Sequence, residues 1–552
     1  MIGVQTELDG VVYPPQDVLK GYVEKGYLGN LSLAEALINA LPKFGDRIAI
    51  GGPEGEVTYA ELDDASNRFA ASLLELGLKP LDRVLFQVAN SKDLIVAIIA
   101  TYKAGLIPVC TLAAHRMNEI SYLATHSGAK AHFIGIESNF DFAAFAEDVR
   151  KVVPGLEHTI VIRGEGPSHL PHMTNMILGQ DPRVAKIAID AIERDPYQVT
   201  AFQLSGGTTS IPKIIPRFSN EYLYNFTALA DTLKYDADDI IFIPLQIMHN
   251  AGMIFSMPTF LKGAKLIVSP SLDPMNLFEI LKKDRPTIFL MMAAAIDRMK
   301  QVNAKALIDF SRTRLVISPN AARQTEEVLG VPGIHLFGMA EGLITFGSPE
   351  HPDRARHTTI GRAISPGDEI KILGPGTETE LPNGQIGEMV TRGPYTFHGY
   401  LDAQERNREA FTSDGFYRSG DLMSVQTIDG VDYYAFEGRL KDVVSRGGEK
   451  INCEEVELAA RKHPDIADIA IVAMPDPDYE ERACAFIIPA GDKAPPTVKE
   501  LMEFLVADGL AKFKCPERIE AISEFPQTDS GKLSKPKLKV MIVDIQAREK
   551  AA

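Results

Sequence analysis

The sequence predicts an α/β protein with a large N-terminal domain of two α/β subdomains plus a β-rich region, followed by a small α+β C-terminal domain. Three observations carry that prediction. Amphipathic helical runs alternate with short apolar runs from Val57 to Ile134 and again from Ile240 to Ser318, which is the rhythm of layered helices and strands. After Ile360 the texture changes to short β-type runs separated by turns, and beyond Gly438-Arg439 it resets again. The chain has 552 residues, too many for one ordinary core, so two to four core-bearing units are needed.

Taken in order, YAELDDASNRFAASLLELG from Tyr59 has the spacing of an amphipathic helix, and RVLFQVA, LIPVCTL and AHFIGI read as strands. Gly77, Gly105 and Gly128 each follow a helical pattern, where a left-handed cap is wanted. The alternation returns at Ile240–Pro244, Ala264–Pro270, Thr287–Met292 and Thr313–Ser318. The β-rich region comprises DEIKILGPG, ETELPNGQIGEMVTRG and DGVDYYAFEGR, with Pro382-Asn383-Gly384 and Asp429-Gly430 supplying turn chemistry. The C-terminal unit reads as a helix at Cys453–His463, strands at Ile469–Ala473 and Ala483–Pro489, and a helix at Val498–Leu510. The predicted domains are 1–438 and 439–552, with the boundary near Lys441.

Composition narrows the function. Lys plus Arg number 57 against 74 Asp plus Glu, a formal net charge of −17, and such a chain repels a polyanion unless a local patch reverses the field. Nucleic acid is therefore not an expected partner, and small-molecule chemistry is. Cys110, Cys453, Cys484 and Cys515 show no CxxC spacing, so neither a disulfide scaffold nor a zinc site is indicated, and a reducing cytoplasm fits. The N-terminal stretch lacks a basic segment followed by an apolar one, and the run Leu94–Cys110 is interrupted by Lys103 and Gly105; no secretion signal and no membrane span are expected.

The most informative segment is LSGGTTSIPKIIPR, Leu204 to Arg217. Its glycines let backbone approach an anion, the hydroxyls of Thr208, Thr209 and Ser210 can donate to phosphate oxygens, and Lys213 adds positive charge. It is not a Walker A loop, because Pro212 and Ile214 flank the lysine where Gly and Ser or Thr are required. The plain alternative for the loop alone is an ordinary Gly/Thr turn. Further along stand LFGMAEG (336–342), FYRSGDL (416–422), GRLKDVVSRGGEKINCEEVE (438–457) and PQTDSGKLSK (526–535).

In this order and spacing the chain resembles, over nearly its whole length, the AMP-forming acyl and aryl acid ligases, which include acyl-CoA synthetases, peptide-synthetase adenylation domains and luciferases. The resemblance implies that Ser205, Gly206, Gly207, Thr208, Thr209 and Lys213 grip the ATP phosphates, with Ser210 standing where glycine is usual. It implies that Glu341 binds Mg²⁺, a task suited to a hard carboxylate oxygen, and that Gly338, Met339 and Ala340 line the nucleotide. Ala340 stands where most relatives have Thr, as in the aryl acid branch. Asp421 is implied to accept from both ribose hydroxyls, which one ionised carboxylate can do. Arg439 is implied to reach the ribose or phosphate region, Lys441 to be the hinge, and Gly447-Gly448 to let a pantetheine thiol pass close to backbone. Lys532 is implied to enter the active site and neutralise charge while two anions react. By composition alone that lysine would be read as part of a solvated basic tail. SPNAAR (318–323) stands where many relatives carry adenine contacts, which places Asn320 and Ala321 in the nucleotide set.

Within the family the wording is nearest the ligases that activate 2,3-dihydroxybenzoate or salicylate: YPP near the start, FQLSGGTT, His249-Asn250, FGMAEG and SRGGEKIN. In those relatives an aromatic residue follows the His-Asn pair and a serine five positions after the Asn reads the ring's ortho hydroxyl. Here Ala251 and Phe255 occupy those positions. A buried phenol facing Phe255 would lose its partner, so the expected acid is hydrophobic, aromatic or alicyclic, without a strong demand for a hydroxyl. The implied acid-binding set is Asn250, Ala251, Phe255, Gly338 and Leu343, with His249 at the acyl carbonyl.

The expected reaction is ATP-dependent formation of an acyl-adenylate with release of pyrophosphate, followed by thioester formation after the C-terminal domain turns about Lys441. Coenzyme A is the expected acceptor thiol, and the phosphopantetheine of a separate carrier protein, loaded by a stand-alone aryl acid adenylating enzyme, is the alternative. Further from expectation stand a luciferase-like oxygenase, for which no positive feature is present, and an inactive nucleotide-binding module, against which Lys213, Glu341, Asp421 and Lys532 argue.

Overall fold

Side-chain alternation and helix capping account for most of the architecture seen in the computed structural model, which describes residues 2–136, 140–205, 212–271, 273–319, 321–374, 376–440, 443–491, 493–526 and 533–551. The helix Tyr59–Glu75 begins at Thr58, whose hydroxyl accepts from the Glu61 N–H while the Glu61 carboxylate takes the Thr58 N–H. This reciprocal cap satisfies two of the donors that a helix start leaves unpaired. The same device opens Leu33–Phe44 at Ser32 and Val498–Ala507 at Thr497. Gly77, Gly105 and Gly128 take positive φ values of 105°, 71° and 63°, as expected for residues ending helical runs.

The chain forms two compact units. The larger comprises Met1–Ala113, Leu123–Leu204 and Ile214–Gly438. It contains a six-stranded sheet in the order 158–164, 129–136, 83–87, 107–109, 199–204, 214–218, parallel except for the last strand. Its second large sheet has seven strands in the order 333–334, 315–317, 288–290, 240–242, 265–267, 48–51, 57–58. The strand Ile48–Gly51 pairs in parallel with Lys265–Ile267, placing Ile50 beside Leu266. An N-terminal strand thus completes the sheet built mainly from residues beyond 240, an exchange that local periodicity does not reveal. Both sheets are buried, and their strands accordingly read as continuous apolar runs, not alternating ones. The β-rich region is a four-stranded sheet, 369–373, 387–392, 417–428 and 431–439.

The smaller unit comprises Ala114–Tyr122, Ser205–Lys213 and Arg439–Ala552. Its core is a long antiparallel pair, Ile466–Asp476 with Glu480–Pro489, flanked by Val443–Arg446, Glu449–Asn452 and Arg518–Ala521. The paired strands run longer than the segments 469–473 and 483–489 expected from composition, because the backbone ladder continues through polar residues, pairing Met474 with Arg482 and Asp476 with Glu480, which apolar content does not mark. The helix Cys453–Ala460 is shorter than expected, and Lys535–Ala551 is helical where the sequence offered only a Lys-rich tail. Leu538 and Ile542, one turn apart, are fully buried and anchor that last helix on Val472 and Phe486. All four cysteines are buried and free. Among the described residues no helix is long and apolar enough to cross a membrane.

Candidate active site

The motif FGMAEG folds as a tight hairpin in the larger unit. Strand Leu336–Gly338 pairs antiparallel with Ile344–Phe346, the Met339 N–H donates to Leu343 O at 3.1 Å, and the Gly342 N–H donates to Met339 O at 3.1 Å. Gly342 has φ +146°, and a Cβ there would stand 2.5 Å from Tyr395 O and 2.6 Å from Thr396 Cα. Only glycine lets this turn press against the neighbouring segment. That approach lets the Phe397 N–H donate to Glu341 O at 2.8 Å, fixing the backbone that carries the carboxylate.

Glu341 is buried, and its Oε1 accepts from the Tyr400 hydroxyl at 2.8 Å. Burial and then the adjacent carboxylate push the Tyr400 phenol far above its ordinary value, so the hydroxyl stays protonated. Its single proton goes to Glu341, which makes Tyr417 the donor in the 3.1 Å Tyr417–Tyr400 hydroxyl contact. Tyr417 is likewise raised, chiefly by burial and next by Glu341. The rings pack around Phe397, with centroids 4.7 Å to Tyr400 and 4.9 Å to Tyr417. Glu341 Oε2 carries no hydrogen bond among the described residues.

Tyr417 begins the strand Tyr417–Ile428 that also carries Asp421. Asp421 is buried, and its N–H donates to Ser419 Oγ at 3.0 Å, while that hydroxyl donates to Met389 O at 2.6 Å. A two-tyrosine chain therefore links the Glu341 hairpin to the strand of Asp421. Tyr400 was not foreseen from the sequence: in RGPYTFHGY a tyrosine looks the same whether it packs in a core or donates to a carboxylate.

His249 precedes and Asn250 opens the helix Asn250–Lys262. Asn250 Oδ1 accepts from the Tyr222 hydroxyl at 2.9 Å, and Gln203 Nε2 donates to that same hydroxyl at 3.1 Å. Gly252 is required here, since a Cβ would stand 2.1 Å from Gln246 O. Ala251 is half-buried, and Phe255 is buried with its ring edge-on to Phe346 at 5.7 Å. Leu343 is fully buried among Ile360, Ile372, Met389 and Met423, and its main chain closes the hairpin. Gly338 is exposed, and Met339 and Ala340 are half-buried.

Ser205 and Lys213 flank the glycine-rich stretch. The Ser205 N–H donates to Lys213 O at 2.9 Å, and the Lys213 N–H donates to Ser205 Oγ at 3.2 Å. Ala321 is buried just before the helix Ala322–Leu329, at the carboxyl end of strand Leu315–Ile317, the edge where parallel sheets commonly bind ligands. In the smaller unit Gly447 and Gly448 form the two-residue turn between Val443–Arg446 and Glu449–Asn452, with φ +54° and +92°, which suits a type I′ hairpin. The Gly447 N–H donates to Tyr479 O at 2.8 Å. Arg439 ends the strand Val431–Arg439. Gly206, Gly207, Thr208, Thr209, Asn320, Lys441 and Lys532 lie outside the described residues.

A single buried carboxylate with an oxygen to spare fits Mg²⁺, which takes hard oxygen ligands and is usually held by one or two carboxylates together with substrate phosphates and water. Among the described residues no group of three or more His, Cys, Asp or Glu could hold a metal by itself.

Comparison with known proteins agrees with this geometry. A family described as AMP-binding enzyme matches residues 38–401, and one described as AMP-binding enzyme C-terminal domain matches residues 455–532. The chain is 34% identical to a 2,3-dihydroxybenzoate-AMP ligase of Bacillus subtilis, over 97% of this chain and 98% of that protein. It is also 34% identical to a salicyl-AMP ligase / salicyl-S-ArCP synthetase of Mycobacterium tuberculosis, over 96% of this chain and 94% of that protein. Among solved structures, apo MbtA of Mycobacterium smegmatis superposes with a TM-score of 0.72 at 29% identity, covering 96% of this chain and 98% of that one.

Proposed function

The chain belongs to the AMP-binding enzyme family, and from that premise we propose that it activates an aryl carboxylic acid as its acyl-adenylate and passes the acyl group to the phosphopantetheine thiol of a separate carrier protein. The observation that carries this reading is the link from the buried Glu341 carboxylate, through Tyr400 and Tyr417, to the strand of Asp421. On this reading the metal-binding carboxylate and the ribose-binding carboxylate share one hydrogen-bonded support, which suits a mononucleotide.

In the first step the substrate carboxylate attacks the α-phosphorus of ATP and pyrophosphate leaves. Lys213 and Lys532 supply positive charge to the phosphates, and Ser205 with Gly206, Gly207, Thr208 and Thr209 grips them. Glu341 would hold Mg²⁺, whose charge offsets that of the phosphates when bound. Asp421 orients the ribose, Arg439 serves the ribose or phosphate region, and Asn320, Ala321, Gly338, Met339 and Ala340 frame the nucleotide. In the second step the thiol attacks the acyl carbonyl and AMP leaves. A turn about Lys441 withdraws Lys532 and presents Gly447-Gly448 between the two reactions.

Asn250 orients the acid from its Tyr222-held amide, with Ala251 and Phe255 beside it and His249 at the carbonyl. The carrier-protein acceptor replaces the coenzyme A favoured by the sequence alone, and the support for it is the relative named for salicyl-S-ArCP synthesis. The test is AMP release with benzoate, salicylate and 2,3-dihydroxybenzoate, each offered with coenzyme A or with a phosphopantetheinylated aryl carrier protein. Release driven by the carrier protein is the expected result. Release driven only by coenzyme A would reverse the choice of acceptor while leaving the adenylation step in place.

A further inference from the structure

Arg217 lies in the strand Ile214–Phe218 and has the largest of the fully buried side chains, with 0% exposure. Burying a guanidinium strips it of water, and only partners for its donors offset that loss, so its partners show what its burial achieves. Nε donates to Glu221 Oε1 at 3.0 Å, Nη1 to Ala340 O at 2.8 Å, and Nη2 to Tyr395 O at 3.2 Å and to Glu221 Oε1. Neutralising the charge needs only Glu221. The two carbonyls come from separate segments and are the two that frame Glu341: Ala340 is its neighbour in the hairpin, and Tyr395 lies two residues before Phe397, whose N–H holds Glu341 O. The guanidinium carbon also lies 4.7 Å from the centre of the Tyr222 ring, and the Tyr222 hydroxyl is the one held by Asn250.

We propose that Arg217 is a positioning residue: its planar fork ties the Glu341 hairpin to the 395–397 segment and to Tyr222, and thereby sets where the metal-binding carboxylate stands. The proposal rests on the function given above, in which Glu341 holds Mg²⁺ against ATP. Lysine cannot replace the fork, because one ammonium is a point donor and does not span two carbonyls and a carboxylate in a plane.

The test is the Mg²⁺ dependence of ATP binding, followed by calorimetry on the whole protein, which needs neither acid nor turnover. Arg217→Lys keeps the buried charge and is expected to raise the Mg²⁺ concentration for half-maximal ATP binding about tenfold, the size of one charged hydrogen bond lost. Arg217→Met is expected to raise it at least as much. A purely structural role would lower the melting temperature and the binding-competent fraction and leave that midpoint where it was. An unchanged midpoint in either folded variant overturns the proposal, as does loss of fold in both. If the wild-type protein binds ATP with Mg²⁺ yet activates no acid, the proposed function fails while the Arg217 measurement still stands.

Discussion

Glu341→Gln lowers acid-dependent adenylate formation by about 100-fold or more, with the melting temperature close to wild type. The substitution keeps the shape of the side chain and an amide oxygen for the Tyr400 hydroxyl, so the Glu341–Tyr400–Tyr417 chain persists. What disappears is the negative charge, and with it the hard anionic oxygen that Mg²⁺ seeks. Removing one preorganised oxyanion-hole donor from an active site costs about 2.7 to 4 kcal/mol, which sets the expected scale. Because the loss lies in metal affinity, excess Mg²⁺ should recover part of the rate. A folded Glu341→Gln enzyme within threefold of wild type at low Mg²⁺ contradicts the role given to this residue.

Lys532→Ala separates the two half-reactions. Adenylate formation should fall by about 100-fold or more, since a mobile cation that offsets two approaching anions is removed. Transfer from a chemically supplied acyl-adenylate to the thiol should stay near wild type, because the proposed turn about Lys441 takes this lysine away before that step. The measurement is single-turnover kinetics of each half-reaction on one preparation. Equal losses in both steps of a folded variant contradict the alternation.

Much of this architecture is legible in the sequence because burial imposes period. The helix from Tyr59, the strands near Arg83, Ile107 and Ala129, and the later alternation at Ile240, Lys265, Ile288 and Leu315 all follow from apolar spacing and from the glycines that end helical runs. Exchange between sheets is not legible. Ile48–Gly51 joins Lys265–Ile267 more than two hundred residues away, and no local pattern records its partner. The helix Lys535–Ala551 is hidden for a related reason: its apolar and charged residues follow no clear helical period, and what holds it, the buried Leu538 and Ile542 with the Arg518–Glu549 and Lys535–Glu457 ion pairs, depends on partners distant in sequence.

At the site the division is similar. Glu341 and Asp421 are legible through the motifs that carry them, and the close contact at Gly342 explains physically why its motif ends in glycine. Tyr400 and the Tyr222 contact to Asn250 depend on pairings that only the fold supplies. Arg217 is the clearest case. Nothing in the run IIPRF distinguishes Arg217 from a surface cation, whereas it is fully buried and donates to Glu221 and two main-chain carbonyls.

If this protein makes an adenylate of an aryl acid, ATP–pyrophosphate exchange with and without that acid measures the step itself. Mg²⁺-dependent exchange should appear when a benzoate-class acid is added and vanish when it is withheld. Tight ATP binding with no exchange across the whole acid panel would contradict it and leave a nucleotide-binding module in its place.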